Sequence, residues 1–303
     1  RSGIMRVQQI AHRFGIVGIK EADAYAPTIA AYHDADVGHL LNLYVATCIT
    51  TVPMQEQPDS KLDFAAIDAV RDHYRSALVD TRFVKIFLDG VPTPSRTAAM
   101  LAPYLPDAKG VVTPGLLHVA PEVLTDDLIE LDRRGYTVKM HAAGDRAIRV
   151  GLDAVAAVRQ ANHTSTLRHE LAHAGYIAPA DLPRFASLHA VADLSPVIWY
   201  PSPIIDSVIA TVGDRARQYW PVRTLAASGS LLAAGSDWPS VSPSMDPWGG
   251  IEALITRSDP YQESARKLWP EEAIDLKEAL RIYTVGGAEA LSIVAAESVD
   301  LVL

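Results

Sequence analysis

Four polar side chains stand at the ends of short apolar runs. They are Lys85 in FVKIFLDG, His141 in YTVKMHAAGD, His173 in LRHELAH and Asp237 in LLAAGSDWP. Two imidazoles and a carboxylate are the donor types that hold zinc or a similar divalent ion. One strand-end histidine is ordinarily a hydrogen-bonded core residue; two, with an aspartate, on separate segments are harder to assign to packing. Period-two alternation puts Thr137, Lys139 and His141 on one face. It does the same for Lys85, Phe87 and Asp89, for His169, Leu171 and His173, and for Leu231, Ala233, Gly235 and Asp237. One inward group per strand end would then converge on one point. Lys85 also has a plainer reading, as an ion pair with Asp89 on its own face. Asp89 precedes Gly90 and suits a turn as well as a substrate contact. Trp238, next to Asp237, suits either a packed turn or a wall of a substrate pocket.

The elements that must position these groups alternate along the chain. Strand signals fall at residues 15–19, 40–47, 83–88, 136–141, 166–173, 190–198 and 231–236. Helical signals fall at 5–13, 28–34, 64–78, 121–134, 145–161, 180–187, 221–228, 247–257 and 275–291. Gly135 reads as a helix C-cap and Asp145 as an N-cap. Strand and helix in alternation imply parallel strands joined by right-handed crossovers. About seven such units predict an α/β fold of the (β/α)8 TIM-barrel type, in which functional side chains sit at the C-terminal strand ends. An open doubly wound sheet is the alternative, but no GxGxxG follows the first strand.

In order and context, VKIFLDG, HAAGDRA, RHELAH and GSDWP resemble consecutive motifs of the amidohydrolase superfamily. The branch that they resemble contains N-substituted formamide deformylase and its uncharacterised relatives (amidohydrolase family 3). The resemblance runs from about Gly15 to Leu291. It implies metal ligands at Lys85, His141, His173 and Asp237, with Lys85 carboxylated on its amine and bridging two metals. It also implies a divalent cofactor, zinc or similar, as one or two ions. Water activated to hydroxide would attack a carbonyl, with Asp237 as the catalytic proton shuttle. The implied reaction is hydrolysis of an amide or other C–N bond in a small molecule.

The sequence departs from that pattern at its start. The superfamily opens its barrel with a His-x-His pair, and no H-x-H occurs here. GIVGI matches the second strand of the pattern. The expectation is therefore a barrel over residues 1–292 whose first strand is missing from the sequence shown. Residues 293–303, containing VDLVL, are expected to be a returning segment of a small β-sandwich domain. The absent pair also supports a rival reading, a non-catalytic metal-binding or scaffold barrel. The same chemistry on a lactone, cyclic amide or aminated base is a further alternative.

Composition bounds the partners. The 303 residues are 49% hydrophobic and 21% charged, with a net charge of −9. An acidic balance argues against nucleic acid and anionic membranes, which need clustered Lys and Arg. The lone Cys48 forms no disulfide within the chain and reads as a buried strand thiol. The apolar runs are too short to span a bilayer. A cytoplasmic location and a small-molecule substrate are expected, with a homo-oligomer left open.

Overall fold

A computed structural model of the chain describes residues 2–51, 61–163, 166–240 and 242–293. Seven parallel strands lie side by side in chain order. They are β1 (Gly18–Ala24), β2 (Tyr44–Thr50), β3 (Val79–Phe87), β4 (Thr137–Ala142), β5 (Glu170–His173), β6 (Val191–Leu194) and β7 (Leu231–Ala234). Helix α1 (Ser2–Arg13) precedes β1. The crossovers carry α2 (Ala26–Val37), α3 (Phe64–Tyr74), α4 (Pro121–Arg133), α5 (Asp145–Asn162) and α6 (Leu182–Ser187) in turn. Helices α7 (Pro203–Val212) and α8 (Val222–Ala227) join β6 to β7. After β7 come α9 (Pro247–Thr256), α10 (Leu276–Arg281) and α11 (Gly287–Ala290).

The sheet is curled, and its interior ion pairs demonstrate the curl. In a flat sheet β1 and β5 would stand about 19 Å apart, four strand spacings of about 4.8 Å. Yet Lys20 of β1 forms an ion pair with Glu170 of β5. Lys139 of β4 reaches Glu170 at 3.3 Å and also pairs with Asp193 of β6. Only a sheet wrapped around these side chains brings them together. Among the described residues β7 and β1 share no ladder.

The outward faces carry the main core. Val84, Ile86, Leu88, Val138, Met140, Leu171, Leu194 and Leu232 pack under the helices. Each such burial is worth about 1.5–3 kcal/mol. Helix α5 presents Ala147, Ile148, Gly151, Leu152, Val155 and Val158 to them at helical spacing. Toward the strands' N-terminal half, α11 covers the interior. Ala288 and Leu291 pack on Ala46, Cys48 and Phe83, and the Ala290 carbonyl accepts from Lys20 Nζ at 2.8 Å. Cys48 is buried there, as expected, and burial pushes its thiol up to about 12.

Several sequence expectations are corrected. The first strand begins at Gly18 and runs on through Lys20, Glu21 and Asp23. Its charges hid it, because Lys20 points into the interior of the curled sheet, which holds the Glu170 carboxylate. Helix α7 was not expected; its run PIIDSVIATV is mostly apolar, with Asp206, Ser207 and Thr211 as its polar residues. The helix expected over 275–291 is present from Leu276 to Ala290, with a wider, π-helical segment at Ile282–Gly286 between α10 and α11. Asp145 is the first residue of α5, not its cap, and its Oδ1 accepts from Leu101 N at 2.7 Å. Gly135 does follow α4 with φ +85°. The segment expected to return to a second domain lies, beyond Ile293, outside the described residues.

Candidate metal centre at the C-terminal strand ends

Lys85 and His141 reach the interior by simple alternation. Phe83 and Lys85 of β3 and Lys139 and His141 of β4 face inward, and Lys85 lies directly across from Lys139 in the ladder. His173 arrives differently. In β5 it is Glu170 that faces inward, while Leu171 packs outward in the core and His169 binds Asp132 of α4 at 3.1 Å. His169 and Leu171 do share a face, the outward one, and His173 alone departs from it. His173 takes φ +68°, and this left-handed turn at the strand exit swings its ring inward. Asp237, three residues beyond β7, also has positive φ, +51°.

The turn brings the two imidazoles into edge-to-face contact, with ring centroids 4.8 Å apart. His141 Nε2 donates to the Gly90 carbonyl at 2.9 Å, which leaves Nδ1 with a free lone pair. His173 Nδ1 lies 3.1 Å from Ser195 Oγ and leaves Nε2 for the interior. Burial, the neighbouring His173 ring and Lys85 hold His141 well below the usual imidazole range. Burial, then Lys85 and Lys139, push His173 down to about 3. Both rings are neutral at pH 7 and able to donate to a metal.

Lys85 is 4% exposed, and among the described residues it has no ion-pair partner. Its Nζ sits 4.6 Å from the Phe87 ring centroid. Burial and the Lys139 ammonium push its pKa down to about 8. Asp237 lies within electrostatic reach of Lys85 and Lys139. Burial raises its carboxyl above the ordinary value, with the two lysines opposing.

Asp89 is fully buried, and it does not pair with Lys85. Its Oδ1 accepts from Ala143 N at 3.0 Å, and its Oδ2 accepts from Ala99 N at 2.9 Å and Gly144 N at 2.8 Å. Burial pushes the carboxyl up to about 7 against those three bonds. Three donors on two oxygens favour the ionised form. Asp89 thus ties the loop after β3 to the loop after β4, with His141 Nε2 3.6 Å away. Gly144 must be glycine here, since a Cβ would lie 2.0 Å from the Ala99 carbonyl. Trp238 is half-buried beside Asp237 and packs on the cluster containing Ile16, Leu43 and Met245.

Sequence reasoning passed over Ser195, Glu170 and Asp193, and read His118 as a solvated or structural histidine. Asp193 and Glu170 carry a legible signal, a charge in an apolar strand. His118 donates its backbone N–H to Leu88 O at 2.8 Å and lies close enough to His141 to influence its charge.

The donor types fit a divalent ion: two neutral imidazoles, each oriented by a second hydrogen bond, as metal-binding histidines are. Among the described residues no three His, Cys, Asp or Glu side chains converge into a ready-made cage. A third donor beside the histidine pair therefore depends on Lys85.

Residues 6–294 match the amidohydrolase family. The chain is 32% identical over 210 residues to Protein LONG AFTER FAR-RED 3 of Arabidopsis thaliana, across 68% of this chain and 34% of that protein. It is 27% identical over 168 residues to the N-substituted formamide deformylase of Arthrobacter pascens, across 54% of this chain and 29% of that one. The chain thus spans about a third of the length of these curated relatives. An uncharacterized metal-dependent hydrolase from Pyrococcus furiosus shares the fold, with TM-score 0.71 and 22% identity over 95% of this chain and 55% of that chain. With the match covering nearly the whole chain, the protein belongs to the amidohydrolase family.

Proposed function

We propose that the protein is a metal-dependent hydrolase acting on an amide or other C–N bond of a small molecule. The observation that carries this reading is the His141–His173 pair, neutral and with ring centroids 4.8 Å apart, beside a buried lysine that has no ion-pair partner among the described residues. His141 Nδ1 and His173 Nε2 would hold a divalent ion, zinc or similar, as one of one or two ions. Lys85, as a carbamate, would add an anionic donor, and Asp237 would complete the set. Such an ion supplies Lewis acidity, polarising a carbonyl and lowering the pKa of water to about 7.

The chain's own groups do the rest. The Asp237 carboxylate takes the proton of the attacking water and returns it to the leaving nitrogen. Its raised pKa suits both transfers. Gly90 and Ser195 hold the imidazoles in orientation. Asp89 acts through the loops that it fixes, and Trp238 walls the substrate's approach to Asp237. The family match supports hydrolysis, and the bond cleaved rests on the deformylase resemblance.

Elemental analysis of the purified protein tests the metal. One or two ions per chain support the reading, and none after zinc supplementation overturns it. Asp237→Asn is expected to abolish hydrolysis of N-formyl and N-acyl amines with the fold intact. Turnover at the wild-type rate would remove Asp237 from the proton path.

A further inference from the structure

Two lysines stand side by side on the inner face of the barrel. Lys85 of β3 and Lys139 of β4 are direct partners in the ladder, and both are under a tenth exposed. Like charges directly opposite each other in a sheet repel. The surroundings are unequal. Lys139 has two carboxylates, Asp193 and Glu170, and Glu170 is itself shared with Lys20. Lys85 has none within ion-pair distance among the described residues. The interior therefore fixes the positive charge on Lys139 and leaves Lys85 facing it.

We propose that Lys139, held by Asp193 and Glu170, is the positioning residue that drives Lys85 to become a carbamate. This rests on the reading of Lys85 as a metal-site ligand given above. The step is balanced with carbon dioxide as co-reactant. The Lys85 ammonium first gives one proton to water; the amine lone pair then forms the N–C bond with carbon dioxide, one C=O electron pair moves onto oxygen, and a second proton from Nζ leaves to water. The cross-strand pair then changes from two like charges to an anion facing a cation. In a low-dielectric interior that change is worth far more than in water. Asp193 and Glu170 keep Lys139 in place, so that the attraction is built in before any metal arrives.

The test follows the modification itself. Protein as purified is equilibrated with 13C-bicarbonate, and the carbamate carbon is read by 13C NMR, with Lys85→Ala as the blank. Half-saturating bicarbonate is compared in the wild type, Lys139→Arg, Lys139→Met and Lys139→Met/Asp193→Asn. The double variant removes the ammonium together with one of its carboxylates, and Glu170 keeps Lys20, which guards against loss of the fold. Circular dichroism selects the folded variants. Removal of the charge is expected to raise half-saturation by about tenfold or more, and Lys139→Arg is expected to restore it. Wild-type half-saturation in the folded double variant overturns the role of Lys139 alone. No carbamate signal in the wild type overturns the reading of Lys85 itself, and this proposal with it.

Discussion

The His169 imidazole is fully buried and bonded at both nitrogens, to Val138 N–H and to Asp132. Burial lowers its pKa below 6.5, the Asp132 bond opposing. The unfolded chain therefore takes up a proton below about pH 6.5 that the folded chain refuses, and stability from this group falls as pH drops. Replacing His169 by Gln removes that loss. The stability advantage of the wild type over H169Q should shrink below pH 6.5 by up to about 1.4 kcal/mol per pH unit. Urea unfolding of both proteins at pH 7.5, 6.5 and 5.5 checks this, and a constant difference contradicts it. Asp89 offers a second prediction. Asp89→Asn puts an amide N–H₂ against backbone N–H groups that now have an acceptor. The expected cost is about 2–4 kcal/mol, read from denaturant midpoints.

The strand exits of β3 and β4 act together as an element, because Asp89 pins both loops and Gly144 lets them touch. Gly144 has φ −93°, which alanine adopts freely, so only contact forbids a side chain there. Gly144→Ala places a methyl 2.0 Å from the Ala99 carbonyl. It should cost more than about 2 kcal/mol and slow hydrolysis by displacing the loop beside His141. Gly3→Ala in α1, where nothing lies within 4 Å of the added carbon, is the control and should be neutral or stabilising. Equal effects of the two substitutions would refute the close approach.

Across the whole molecule, the interior ion pairs link strands that the ladder order separates. Glu170 is 1% exposed and joins Lys20 of β1 to Lys139 of β4. Glu170→Ala leaves two buried ammonium groups short of a partner. The expected loss is about 3–5 kcal/mol, seen as a large fall in the thermal midpoint. A change within about 0.5 kcal/mol would mean that the array contributes little to holding the curled sheet together. Among the described residues no helix is long and apolar enough to cross a membrane.

How much was legible follows from what a local pattern can encode. Alternation of helix and strand signals, with short apolar runs between turn residues, determined a parallel α/β architecture. The same runs placed Lys85 and His141 on the inward face, since period two holds wherever a strand is regular. It broke at the exit of β5: His169 and Leu171 alternate regularly with the inward Glu170, and His173 reached the site only through its left-handed φ, a backbone state that no periodicity announces. It failed at β1 as well, because charge reads as exposure until partners four strands away are known. Asp89 looked like a turn or a substrate contact and became a clasp, since its partners are backbone N–H groups 10, 54 and 55 residues along the chain. The sequence by itself determined the residue types and the order of the elements that carry them. Only the tertiary structure decided which buried charges meet, because that depends on how far the sheet curls, and curl is a property of all the strands together.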